Sequence, residues 1–150
     1  MRICVDWGKA RIGVAACDRE GLLAYPVETV PNNSGALPRL KEIAAEYEPL
    51  EIVLGMPIDL RGRRGIAATT MLDVGASIAQ ALGMDVRLID ERLSTASAAK
   101  QLAETGHHAR TRKAIIDQAA AVAILEQAIE MEKRTGCAPG NLIPATGREV

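Results

Sequence analysis

RICVDWGKARIGVAACD, residues 2–18, joins two short runs of β-branched and small apolar residues through Gly8, Lys9 and Ala10. A glycine-bearing polar trio between two such runs is the pattern of a tight hairpin, so both runs read as antiparallel strands. Asp6 stands at the carboxyl end of the first run, where the chain stops being apolar. An aspartate there either bonds its own backbone and starts the turn or is presented for chemistry. The stretch alone does not choose.

Outward from this hairpin, GLLAYPVETV (21–30) follows a short connection and supplies a third strand. NNSGALPRLKEIAAEYEP (32–49) puts Leu37, Leu40, Ile43 and Ala44 at helical spacing, with Asn33 or Ser34 as candidate cap and Pro49 as the stop. LEIVLGMPI (50–58) is nearly continuous apolar sequence, as expected of a strand buried on both faces. DLRGRRG (59–65) reads as a loop, 66–82 as a helix closed by Gly83, and MDVRLIDERL (84–93) as another strand. Residues 94–106 predict a short helix capped by Ser94 or Thr95, and 109–134 a long final one. The Gly- and Pro-rich segment 135–150 reads as a flexible tail, leaving 1–134 as one domain. The order β-β-β-α-β-α-β-α-α predicts an α/β fold with a mixed five-stranded sheet, three strands antiparallel and two parallel, flanked by helices.

Composition narrows the class. Eighteen Lys and Arg against nineteen Asp and Glu give a net charge of −1, so any polyanion site must be a local patch. No apolar run reaches the roughly 18 residues of a membrane span, and MRICVDWGK lacks the pattern of a secretory signal, so the expectation is a cytoplasmic protein that meets no membrane. Cys4, Cys17 and Cys137 show no C-x-x-C spacing, which argues against a zinc site or a disulfide framework. With no Phe, one Trp and two Tyr, the core must be aliphatic and few rings remain for stacking on bases.

Acidic residues then appear where they are costly. RLIDERL puts Asp90 and Glu91 at a strand end, one pointing to each face by alternation, and pattern alone does not say which joins Asp6. In the last helix Ala114, Asp117, Ala121, Ile124, Ala128 and Met131 form an inward stripe whose only charge is Asp117. A carboxylate on a packed face needs hydrogen bonds, a cation or a metal, although Lys113, one turn earlier, offers a plain ion pair. Carboxylates converging from two strand ends and a helix suit Mg2+ or Mn2+, which prefer oxygen ligands and promote phosphodiester hydrolysis.

Positive charge clusters near those acids. Between Asp59 and Asp73 the only charges are Arg61, Arg63 and Arg64; between Glu104 and Asp117 they are Arg110, Arg112 and Lys113; Lys9 and Arg11 flank the first turn. Each cluster is either a solvated loop or a set of backbone phosphate contacts, which position a nucleic acid without reading its sequence.

DWGKARIGVAACD resembles the D-x-G-x-x-R-I-G-V-A motif that opens the YqgF/RuvX family of RNase H-like nucleases, relatives of the RuvC Holliday junction resolvases. VLGMPIDLRGRRG is similar to the family's V-G-x-P-x-x-x-x-G segment, DERLST to its D-E-R-[LF]-[ST]-T motif and KAIIDQAAAVAIL to its D-x-x-A-A-x-x-I-L helix. The resemblance implies an RNase H-like fold and a nuclease using Mg2+ or Mn2+, with Asp6, Glu91 and Asp117 as catalytic and metal-holding carboxylates. It selects Glu91 over Asp90, leaves Asp90 a supporting role, and adds Arg92 to the expected nucleic-acid contacts. The chain departs from the family where Ala10-Arg11 replaces the usual Lys-Arg and where the helix carries one aspartate instead of the two of RuvC resolvases.

Three function classes follow. The leading expectation is an endonuclease on structured nucleic acid, processing the 5′ end of precursor 16S rRNA in ribosomal precursor particles, or else cutting branched four-way DNA. Junction cutting implies a homodimer, because the substrate is two-fold symmetric, whereas end processing is compatible with a monomer. A phosphotransfer ATPase also opens on a D-x-G hairpin but needs a second domain. A non-catalytic RNA-binding assembly factor would make Asp6 and Asp117 structural.

Overall fold

The computed structural model describes residues 1–8, 10–18, 20, 23–56, 66–90 and 110–145. Its elements are β1 (Arg2–Trp7), β2 (Arg11–Cys17), β3 (Ala24–Pro31), α1 (Ala36–Tyr47), β4 (Glu51–Met56), α2 (Ile66–Leu82), β5 (Val86–Asp90), α3 (Arg110–Thr135) and β6 (Asn141–Ile143). The strands form one mixed sheet in the order β3-β2-β1-β4-β5-β6. β1, β2 and β3 are antiparallel neighbours, β4 and β5 run parallel to β1, and β6 returns antiparallel to β5. The expected α/β fold with three antiparallel strands and two parallel ones is present. The expected short helix over 94–106 and the 59–65 loop lie outside the described residues.

Two expectations are corrected. The sheet has six strands, because residues 141–143, expected within a flexible tail, pair with β5 through Leu88 and Asn141, Arg87 and Leu142, and Val86 and Ile143. The Asp85 carboxylate also accepts a hydrogen bond from the Ala145 amide at 3.0 Å. Three residues between a glycine and a proline carry too short a pattern to announce a strand; the open edge of β5 recruits them. Neither Asn33 nor Ser34 is the cap of α1: Gly35 is, while Asn33 Oδ1 accepts from the Gly35 amide at 2.8 Å in an Asx turn just ahead of the helix. Glu48 ends α1 in the left-handed region, one residue before Pro49.

Alternation along the strands sorts the core into two layers. Ile3, Val5, Ile52, Leu54, Val86 and Leu88 pack on one face with Leu40 and Ile43 of α1 and Ile78 of α2. Cys4, Ala15, Cys17, Val53 and Ile89 pack on the other with Ala120, Ala121, Ile124, Leu125 and Ala128 of α3. Cys4 and Cys17 are buried and Cys137 is exposed. Gly55 lets α3 approach closely, since a Cβ there would lie 2.6 Å from Ile124 Cδ1. Among the described residues no helix is long and apolar enough to cross a membrane.

An ion network ties α3 to the far end of the sheet. Arg2 donates twice to the Glu132 carboxylate, at 2.7 and 2.8 Å, and once to Glu51 at 3.0 Å. Arg87 donates to the other Glu51 oxygen at 2.7 Å. Burial opposes the charge on Arg2, but its hydrogen bonds to Glu132 and Glu51 outweigh it and raise its pKa. The same bond with Arg2 holds the Glu132 carboxyl below its ordinary range, against the opposing effect of burial.

Candidate active site

Asp6 is the penultimate residue of β1 and is only 2% exposed. Since Ile3 and Val5 face α1 and α2 while Cys4 faces α3, alternation puts Asp6 on the α3 face. Its antiparallel partner is Gly13, whose own partner in β3 is Thr29. On the parallel side, one step past the Val5 and Leu54 pair, Asp6 is level with Gly55, which pairs with Ile89. A transverse row therefore runs Thr29, Gly13, Asp6, Gly55, Ile89. The two glycines leave a carboxylate flanked by backbone in an otherwise close-packed layer, a shape that accommodates a ligand beside Asp6.

α3 lies across this row. Gln118 Nε2 donates to Thr29 Oγ1 at 3.0 Å at one end, and Ile124 meets Gly55 at the other. Ala121, Ile124 and Ala128 of the expected apolar stripe are buried and Met131 is half-buried. Asp117 belongs to α3 one turn before Ala121, although its side chain, with those of Ala114 and Lys113, lies outside the described residues. Glu91 also lies outside them, immediately after β5. Asp6 is thus the one expected carboxylate whose side chain is described, and among the described residues no cluster of three or more His, Cys, Asp or Glu side chains gathers.

The expected phosphate contacts divide similarly. Arg11 opens β2, half-buried and opposite Pro31. Its turn is tightly fastened: the Gly8 amide donates to Arg11 O at 3.0 Å, and a Cβ on Gly8 would come within 2.6 Å of that same oxygen. Asn32, just past the end of β3, clamps the turn, its side chain donating to Gly8 O at 2.6 Å and its amide to Ala10 O at 3.0 Å. Arg110, Arg112 and Lys113 occupy the first turn of α3, which contains no acidic residue. Lys9, Arg61, Arg63, Arg64 and Arg92 lie outside the described residues.

Several residues that shape the site were not singled out from sequence. Gly13 and Gly55 stand inside strand runs, and an isolated strand glycine is itself a signal of close backbone approach. Thr29, Gln118 and Asn32 carry no local signal, because their bonds join positions 89 and 24 residues apart.

The RuvX family model, described as Holliday junction resolvase, matches residues 1–131. A Cutibacterium acnes protein named "Putative pre-16S rRNA nuclease" is 50% identical over 131 residues, covering 87% of this chain and 82% of its own length. One of the same name from Streptomyces avermitilis is 47% identical over 142 residues, covering 93% and 91%. Thermus thermophilus RuvC shares the fold at 20% identity with a TM-score of 0.54, over 91% of this chain and 98% of RuvC. RuvC in complex with a Holliday junction substrate matches with a TM-score of 0.53. With a RuvC-like RNase H fold, an acidic residue near the end of its first strand and a family match over residues 1–131, the chain belongs to the RuvX family.

Proposed function

We propose that this chain is a divalent-metal-dependent endonuclease that processes the 5′ end of precursor 16S rRNA, with Asp6, Glu91 and Asp117 as its catalytic carboxylates. The observation that carries the reading is Asp6: a buried acid between two glycines, at the carboxyl end of a central strand and under α3. The names of the C. acnes and S. avermitilis relatives support the RNA substrate. Parity along β5 supports Glu91 over Asp90, because Ile89 packs on the α3 face with Asp6 and position 91 is the next of that parity. Helix register supports Asp117, which precedes the buried Ala121 by four residues and Ile124 by seven.

An all-oxygen donor set of carboxylates fits Mg2+ or Mn2+. A cation held there supplies Lewis-acid stabilisation of charge building on the scissile phosphate and eases deprotonation of an attacking water. The chain's own residues hold that ion and orient the polynucleotide. Lys9, Arg11, Arg61, Arg63, Arg64, Arg92, Arg110, Arg112 and Lys113 are the proposed backbone contacts. Three cations in the first turn of α3 oppose the helix dipole, a local cost that a docked phosphate relieves. In this reading the nuclease acts in the cytoplasm on ribosomal precursor particles.

The fold shared with junction-bound RuvC favours a second reading, resolution of four-way DNA by a homodimer. Cleavage of a precursor rRNA end and of a mobile four-way junction, each with Mg2+ or Mn2+, separates the two. The RNA end should be trimmed, and Glu91→Gln and Asp117→Asn should each lower the rate by about a hundredfold or more, with Asp90→Asn far milder. Cleavage that survives both changes overturns the proposal.

A further inference from the structure

We propose that Thr29 and Gln118 are a positioning pair that sets the height and rotation of the α3 turn bearing Asp117 above Asp6, and so tunes the affinity of the site for a divalent cation. The inference rests on the metal-dependent reading above and goes beyond its carboxylates. Thr29 occupies the transverse row of Asp6, two strands away through Gly13. Gln118 adjoins Asp117 in the helix and donates to the Thr29 hydroxyl oxygen at 3.0 Å.

The rest of the α3 seat explains why one hydrogen bond matters. Beyond Gln118 the helix meets the sheet through Ala120, Ala121, Ile124, Leu125 and Ala128, apolar side chains that bury area but form no directional bond. Ile124 against Gly55 anchors the other end of the row without directional preference. The bond to Thr29 is directional and partly buried, so it resists both rotation and sliding of the turn. A small hard cation needs near-ideal octahedral oxygen geometry, and displacements of a fraction of an ångström weaken its binding.

The test is calorimetric titration of Mn2+ into the full chain without nucleic acid, in parallel with thermal melts. Thr29→Val keeps the β-branched shape and removes the acceptor, Thr29→Ser keeps the acceptor, and Gln118→Leu removes the donor. Thr29→Val and Gln118→Leu should each weaken Mn2+ binding by about threefold to tenfold, below the range for residues bonded directly to a metal ligand. The double variant should be no weaker than either single one, Thr29→Ser should match the parent, and melting temperatures should stay together. Parental Mn2+ affinity in folded Thr29→Val and Gln118→Leu overturns the pair, and if Thr29→Val does not fold, Gln118→Leu alone decides. Asp6→Asn distinguishes the two levels. Loss of Mn2+ binding in Asp6→Asn with full binding in Thr29→Val refutes only the positioning pair. Undiminished binding in Asp6→Asn, or no binding by the parent, refutes the metal site and the pair with it.

Discussion

Asp6 and Gly55 show how single residues shape the site. A carboxylate 2% exposed on a packed face carries a solvation cost, which in the proposed site a bound cation offsets. Gly55 holds α3 close enough to reach it. Gly55→Ala forces Ile124 aside from a 2.6 Å approach and should destabilise the protein by about 1–2 kcal/mol. Adding Ile124→Val should recover part of that loss in a denaturant-melt double-mutant cycle, whereas strictly additive losses would mean the two side chains do not meet. The sequence made Asp6 and Asp117 conspicuous, one ending an apolar run and the other alone on an apolar stripe. It left Asp90 and Glu91 even, because alternation says only that they differ. The proposal favours Glu91 because Ile89 packs against α3, and that contact is tertiary.

At the scale of the element, α3 is held at both ends by polar bonds and in the middle by an apolar seat of alanines with Ile124 and Leu125. Near the row of Asp6 the bond is Gln118 to Thr29; at the other end Arg2 grips Glu132. Because Arg2 depresses the Glu132 pKa from its ordinary 4.5, that stabilisation is complete above the ordinary value and is lost as pH falls through the lowered one. Glu28 paired with Arg39 titrates with the same sign. Glu132→Gln should therefore melt lower than the parent at pH 7, by about 1 kcal/mol for a pair this exposed, and the gap should close on acidification below the Glu132 pKa. A gap that stays constant down to pH 3 would show that the pair does not carry it. The strands and helices of the core were legible because β-branched runs and 3.6-residue stripes repeat over many positions. β6 was not, since its three residues are ordered by the edge they cover.

For the whole molecule, the sheet separates two tasks. One face, under α1 and α2, is an aliphatic core with Trp7, Tyr25 and Tyr47 packed at its margin, while the other, under α3, combines an apolar seat with a buried carboxylate at one end and an ion network at the opposite end. Strand order places the carboxyl ends of β1, β4 and β5 side by side, where a mixed sheet gathers residues far apart in sequence. An end-processing RNase with this layout needs one copy per substrate, so light scattering should find that a monomer suffices for activity; activity confined to a dimer would favour the junction reading. The most direct test of the central claim is Mg2+-dependent trimming of a precursor 16S rRNA 5′ end by the parent and by Asp6→Asn, with melts confirming that both are folded. The account predicts cleavage by the parent and a loss of about a hundredfold or more in Asp6→Asn, with melting temperatures within a few degrees of each other. Parental rates from folded Asp6→Asn would contradict it.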